Sequence, residues 1–190
     1  MSKKIFISHS HKDSKLVGAL RNIIEIVFKD TVKCYISSDN DRNEGVKGGS
    51  LWKKWIYENI STCDLFIIIF TPYSLNNSSW IYVELGYATK AEKKIVPVLH
   101  KIENSVSPIS HIQSTRCDNE KNLEQLINTL SLALDAKHYY SMDNRNVLKY
   151  LKEIKKLPYP KPLTKNEIAF IAGGPAGLAI KRLSEWLNKY

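Results

Sequence analysis

The sequence predicts an α/β fold: a five-stranded parallel sheet flanked by helices, with a helical appendage at its C-terminal end. Short apolar runs alternate with stretches of helical period from residue 4 to about residue 135, most of them joined by short connections. That is the pattern of strand–helix–strand units. The third run, Leu65-Phe66-Ile67-Ile68-Ile69-Phe70, is apolar without a break, as in a strand buried on both faces. From residue 137 the charge changes: eleven Lys and Arg stand against four Asp and Glu, which is +7 of the chain's formal net charge of +9. We therefore divide the chain into a domain at 1–136 and a basic helical extension at 137–190.

Residues 4–8 read as a short buried strand. His9 to Asp13 then lead into a helix whose apolar stripe is Leu16, Val17, Leu20, Ile23, Ile24 and Val27. Ser10 with Asp13 three residues later resembles a capping pair. A second strand is expected at 33–37, followed by a polar, glycine-containing loop at 38–49, long enough to suggest a function. A helix from about residue 50 carries Leu51, Trp52, Trp55, Ile56 and Ile60. The central strand at 65–70 is followed by a connection over 71–77 and then by a helix that Ser78 or Ser79 would cap. A fourth strand at 94–99 contains Pro97, which argues for an end or edge position. A weak fifth strand at 112–117 precedes an amphipathic helix with Leu123, Leu126, Ile127, Leu130 and Leu134.

With five strands, the natural arrangement is flavodoxin-like, in the order 2-1-3-4-5. Ligands bind such sheets at the carboxyl ends of the strands, where the order switches between strands one and three. Those strands end at Ser8 and Phe70, and the connection after Phe70 leads to Trp80 and Glu84. Helical spacing puts Trp80 and Glu84 on one face. An indole beside a carboxylate in this place is either a small-molecule site or a surface acid next to a core tryptophan.

Composition narrows the function classes. The chain has no uninterrupted apolar run of membrane-spanning length. The start, Met1-Ser2-Lys3-Lys4, lacks the pattern of a signal peptide, so a cytoplasmic location is expected. Cys34, Cys63 and Cys117 have neither metal-ligand spacing nor even pairing and read as core thiols. The His9-x-His11 pair is by itself a weak metal signal, and we expect no metal. No Gly-x-Gly-x-x-Gly fingerprint and no P-loop occurs.

The extension reads as an amphipathic helix over 143–157 with Val147, Leu148, Leu151 and Ile154, then a proline-rich linker at 158–162. Thr164 and Glu167 form a capping box, Gly173-Gly174 interrupts, and a last helix carries Leu178, Leu183 and Trp186. Helix, glycine turn, helix superficially resembles a helix-turn-helix. A contact surface for oligomerisation or for a second protein is the preferred reading, with nucleic-acid binding as the alternative.

Three ordered segments together resemble a TIR domain, particularly its bacterial forms. They are Ile5-Phe6-Ile7-Ser8-His9-Ser10-His11-Lys12-Asp13; Gly49-Ser50-Leu51-Trp52; and Thr71-Pro72-x-Ser74 with Ser79-Trp80-x-x-x-Glu84-Leu85-Gly86. The resemblance implies the fold already derived and one of two activities. Many bacterial TIR domains cleave the nicotinamide–ribose bond of NAD+, depleting it or making a cyclic or conjugated ADP-ribose signal in antiphage immunity, as in Thoeris-like systems. Others only assemble as scaffolds. On the enzymatic reading Glu84 is catalytic, and NAD+ is substrate rather than cofactor. Ser8, His9, Ser10, Asp39, Asp41, Arg42 and Trp80 are the implied substrate contacts. The pyrophosphate would lie at the amino end of the first helix, near Ser10. Trp80 would stack on the nicotinamide or ribose, or else pack beneath the site. Implied partners are further copies of the chain through TIR–TIR contacts, and a separate effector or sensor. Family members often carry basic residues after the first strand, where this chain has His9, Ser10 and His11.

Overall fold

The computed structural model describes residues 2–36, 52–77, 79–102 and 109–159. Strands β1 (Lys3–Ser8), β2 (Val32–Tyr35), β3 (Leu65–Phe70), β4 (Ile95–Leu99) and β5 (Thr115–Arg116) form one sheet in the order β2-β1-β3-β4-β5. All four pairings are parallel. The expected order therefore holds. The parallel ladder requires a crossover between strands, and the helices that make these crossovers cover both faces of the sheet.

The period of two along each strand sorts the core. Ile5, Ile7, Leu65, Ile67 and Ile69 point to one face and pack on α1 (Ser14–Phe28) and α5 (Glu120–Leu134). Phe6, Phe66, Ile68 and Phe70 point to the other, against α2 (Trp52–Thr62) and α4 (Ser79–Lys90). Phe6 and Phe66 stack at 5.9 Å between ring centres across the central strand pair. Every residue of β3 is buried, which is why its sequence shows no alternation. On α4 the inward stripe is Ile81, Glu84, Leu85 and Ala88, spaced at i, i+3, i+4 and i+7. An acid thus occupies a core position.

Three expectations change. The connection over 71–77 contains a helix, α3 (Pro72–Asn77). Thr71 caps it: its Oγ1 accepts from the backbone N–H groups of Tyr73 and Ser74, both at 3.1 Å. Ser74 Oγ in return accepts from Thr71 N–H at 2.8 Å, and Pro72 fills the first helical position, where its missing N–H costs nothing. Strand β4 is not an edge, since it pairs with both β3 and β5; Pro97 is tolerated because pairing with β5 begins only at Val98. The fifth strand is two residues long, its expected start having been at residue 112.

The first helix of the extension, α6 (Arg145–Lys156), lies against α1, with Val147, Leu151 and Ile154 buried in the same cluster as Leu20, Ile24 and Val27. Leu148 is only partly buried. At the other border of the sheet, the side chain of Glu25 on α1 accepts from the backbone N–H of Cys34 on edge strand β2 at 3.0 Å. Cys34, Cys63 and Cys117 are buried and unbridged, and burial pushes the Cys63 and Cys117 thiols up. Among the described residues no helix is long and apolar enough to cross a membrane. The linker from residue 160, the capping box at Thr164 and the last helix lie outside the described residues, as does the loop at 38–49.

Candidate active site

Ser8 is the last residue of β1 and, two positions after Phe6, faces α4. Its hydroxyl donates to Glu84 Oε2. The other carboxylate oxygen, Oε1, accepts from the indole Nε1–H of Trp80 at 2.8 Å. Trp80 reaches it because the two residues are one helical turn apart. The carboxyl group is therefore held at both oxygens, by donors from two elements. Glu84 is 2 % exposed. Burial raises its pKa from the ordinary 4.5 to about 7, while the Ser8 and Trp80 hydrogen bonds pull in the opposite direction. Near neutrality this group exchanges between acid and carboxylate, and as a carboxylate it is a fixed negative charge in a poorly hydrated place. Such a charge favours a nearby developing cation far more than the same charge in water.

Trp80 is half-buried, with Lys53 Nζ 5.9 Å from its ring centre. Its indole N–H belongs to Glu84, so the residue orients the carboxylate whichever other surface its ring covers. His9 is buried, and its Nδ1 lies 3.3 Å from the carbonyl oxygen of Ile7. Burial lowers its pKa from 6.5 to about 4, with the Ile7 contact opposing, so His9 is uncharged at neutral pH. A neutral His9 gives little electrostatic help to a phosphate. His11 is exposed. Among the described residues no group of three or more His, Cys, Asp and Glu could hold a metal ion. Asp39, Asp41 and Arg42 lie outside the described residues.

The Ser10–Asp13 capping pair does not form. Residues His11–Asp13 make a 3-10 turn that starts without a side-chain cap from Ser10, and α1 begins only at Ser14. The amino end of the first helix is thus this 3-10 turn, and the Ser10 side chain makes no cap bond there. The Asp13 carboxylate turns inward instead. It faces Thr71 Oγ1 at 3.0 and 2.9 Å and accepts from the Tyr159 hydroxyl at 2.7 Å. Burial raises the Asp13 pKa, and these two donors oppose the rise. His100, just past β4, is also fully buried here, with Nδ1 3.4 Å from Asp118 Oδ1. Burial lowers it to about 4, so this is a contact of a neutral imidazole. Asp13, Thr71, His100 and Tyr159 were not singled out for the site by the sequence. The first two stand in the resembling segments, whereas nothing local marks Tyr159.

Fold and site together define a parallel α/β domain with a buried, twice-bonded acid at the carboxyl end of its central strands. The chain belongs to the TIR domain family, whose pattern matches residues 5–127. No curated protein matches it. Among solved structures it is similar to the Clostridium botulinum CMP N-glycosidase BcmB, at 22 % identity and a TM-score of 0.47, over 68 % of this chain and 98 % of that one. It is similar to the TIR domains of the activated Roq1 resistosome that recognises the pathogen effector XopQ, at 17 % identity and a TM-score of 0.43, over 97 % of this chain and 98 % of that one. A conserved protein from Enterococcus faecalis V583 matches at 16 % identity and a TM-score of 0.40, over 90 % of this chain and 99 % of that one.

Proposed function

We propose that this TIR protein cleaves the bond between nicotinamide and ribose in NAD+, with Glu84 as the catalytic carboxylate. The observation that carries the reading is the buried Glu84 held by Ser8 and Trp80 at the ligand-binding end of the sheet. Burying an acid costs stability, so a purely structural role would be better filled by an apolar residue in this stripe.

The chemistry fits a single carboxylate. In NAD+ the nicotinamide is a pyridinium, and when its bond to ribose breaks, both electrons return to the ring nitrogen. It departs as a neutral base and needs no proton, unlike the leaving group of an ordinary glycoside. The ribose is left with oxocarbenium character, which the ionised Glu84 stabilises. Ser8 and Trp80 keep the carboxylate oriented and favour its charged form. Water then adds to the ribose carbon and releases one proton, giving ADP-ribose; a hydroxyl of the same molecule or of an acceptor gives a cyclic or conjugated product. Antiphage signalling in the cytoplasm, assembly of several copies through TIR–TIR contacts and a regulatory or assembly role for 137–190 complete the proposal.

The test is release of nicotinamide from NAD+ by the purified protein, alone and with lysate of infected cells, with mass spectrometry of the ribosyl product. CMP is run beside it as a second substrate. Release that falls at least a hundredfold in Glu84→Gln supports the assignment. Equal release from Glu84→Gln removes Glu84 from the mechanism, and no release from either substrate under any condition leaves the non-enzymatic scaffold.

A further inference from the structure

After α6 the chain returns across the carboxyl end of the sheet. Tyr159 N–H donates to the Leu157 carbonyl at 2.9 Å, closing a tight turn, and the Tyr73 hydroxyl donates to the carbonyl of Pro158 at 2.8 Å. The Tyr159 ring lies 5.1 Å from that of Tyr73 and edge-on to His100 at 4.7 Å. Its hydroxyl reaches Asp13, 146 positions earlier in the chain. This segment is thus fixed by a ring slot and two hydrogen bonds at the end of the sheet where the candidate site lies.

Donor counting shows what the hydroxyl contributes. Asp13 is fully buried, and Thr71 Oγ1 stands within hydrogen-bond distance of both its oxygens. A hydroxyl has one proton, so Thr71 satisfies one oxygen at a time. Tyr159 supplies the second side-chain donor. Thr71 Oγ1 is also the acceptor that caps α3, and α3 leads directly to α4 with Trp80 and Glu84. Asp13 in turn stands five residues after Ser8. One chain of bonds, Tyr159 to Asp13 to Thr71 to the start of α3, therefore ties together the segments that hold the two donor–acceptor partners Ser8 and Glu84.

We propose that Tyr159 is a positioning residue for the Glu84 site: its bond to Asp13 fixes the segment after β1 against the start of α3, and thereby the placement of Ser8 against Glu84. This rests on the reading of Glu84 as the catalytic carboxylate. The geometry is that of a buttress rather than a lid, because the Glu84 oxygens are bonded by Ser8 and Trp80 while the Tyr159 bonds are made at Asp13 and along its own segment.

The experiment uses the full chain with Tyr159→Phe, which keeps the ring and removes the hydroxyl, and Tyr159→Ala, which removes both. Two readouts are independent: steady-state nicotinamide release, and the indole N–H resonance of Trp80, assigned by its loss in Trp80→Phe. Tyr159→Phe is expected to lower kcat about tenfold with KM nearly unchanged, as slight misplacement of a catalytic group does. The Trp80 indole resonance is expected to shift, and Tm to fall by a few degrees, as the loss of one donor to a buried carboxyl group does. Tyr159→Ala is expected to lose kcat to the same extent and to lower Tm further. An unmoved indole resonance overturns the proposal whatever the rate does, and so does wild-type kcat in Tyr159→Phe. A loss confined to Tyr159→Ala also overturns it, since the ring and not the hydroxyl would then matter. If the wild-type protein releases no nicotinamide, the catalytic reading has failed, and the resonance alone decides whether the tie from Tyr159 to the Trp80–Glu84 pair exists.

Discussion

Ser8→Ala removes one hydroxyl from a fully buried position and leaves the rest of β1 intact. Its consequence can be worked from the Glu84 carboxyl. With a pKa of about 7, Glu84 is about half ionised at pH 7. The Ser8 hydroxyl stabilises only the ionised form, and a hydrogen bond to a charged group contributes about 1.5 kcal/mol or more. At about 1.4 kcal/mol per pH unit, its loss raises the Glu84 pKa by roughly one unit, leaving about a tenth ionised at pH 7. If the carboxylate is the working form, activity at pH 7 falls about fivefold and recovers to near wild type by about pH 9. The assay is kcat for nicotinamide release between pH 5 and 9.5 at saturating NAD+. An acid limb that stays near pH 7 in Ser8→Ala would refute the assigned role of the hydroxyl. A loss of equal size at every pH would mean that Ser8 acts through geometry alone.

Other outcomes follow from the same groups. The folded protein holds the Glu84 proton more tightly than the unfolded chain does, so this residue's contribution to stability is present below about pH 4.5 and lost as pH rises to about 7. Glu84→Gln does not titrate, and its Tm relative to wild type should climb across that window by the equivalent of about 3 kcal/mol, or roughly 6–12 °C; a constant difference between pH 5 and 8 contradicts it. His9 is neutral above about pH 5, so His9→Gln should leave the acid limb of the rate profile near pH 7, and disappearance of that limb would reassign it. Leu151→Ala should cost about 2–5 kcal/mol because α6 shares the core of α1, and an unchanged Tm would show α6 to be a separate unit.

The elements that were legible in the sequence are those whose pattern arises directly from how many of their faces are covered. The unbroken run at 65–70 marks a strand covered on both faces, and the stripe from Leu16 to Val27 marks a helix covered on one. Glu84 was readable from its place one helical turn after Trp80 and just beyond the central strand, but its burial was not, since the same spacing also fits a surface acid. Helix α3 was not readable: six residues rich in Ser, Asn and Tyr have weak helical preference, and Thr71 before Pro72 passed as part of a plain connection. The inward turn of Asp13 was missed for a different reason. Local spacing offers Ser10 as its partner, but the buried carboxylate meets Thr71, 58 positions away, and Tyr159, 146 positions away. Partners so distant in sequence leave no periodic trace, and only the closed sheet brings them together.

The bond from Glu25 to the Cys34 amide bears on how copies of this chain can meet. An edge strand with open amides invites another strand to extend the sheet, and β2 is such an edge. Here a carboxylate already occupies one of those amides, and an incoming strand would have to displace it. The opposite border offers little more, since β5 presents only Thr115 and Arg116. Among the described residues, self-association by continuing the sheet is thus disfavoured at both borders. Copies that associate would join through helix and loop surfaces, so each sheet would stay a closed unit within any larger array.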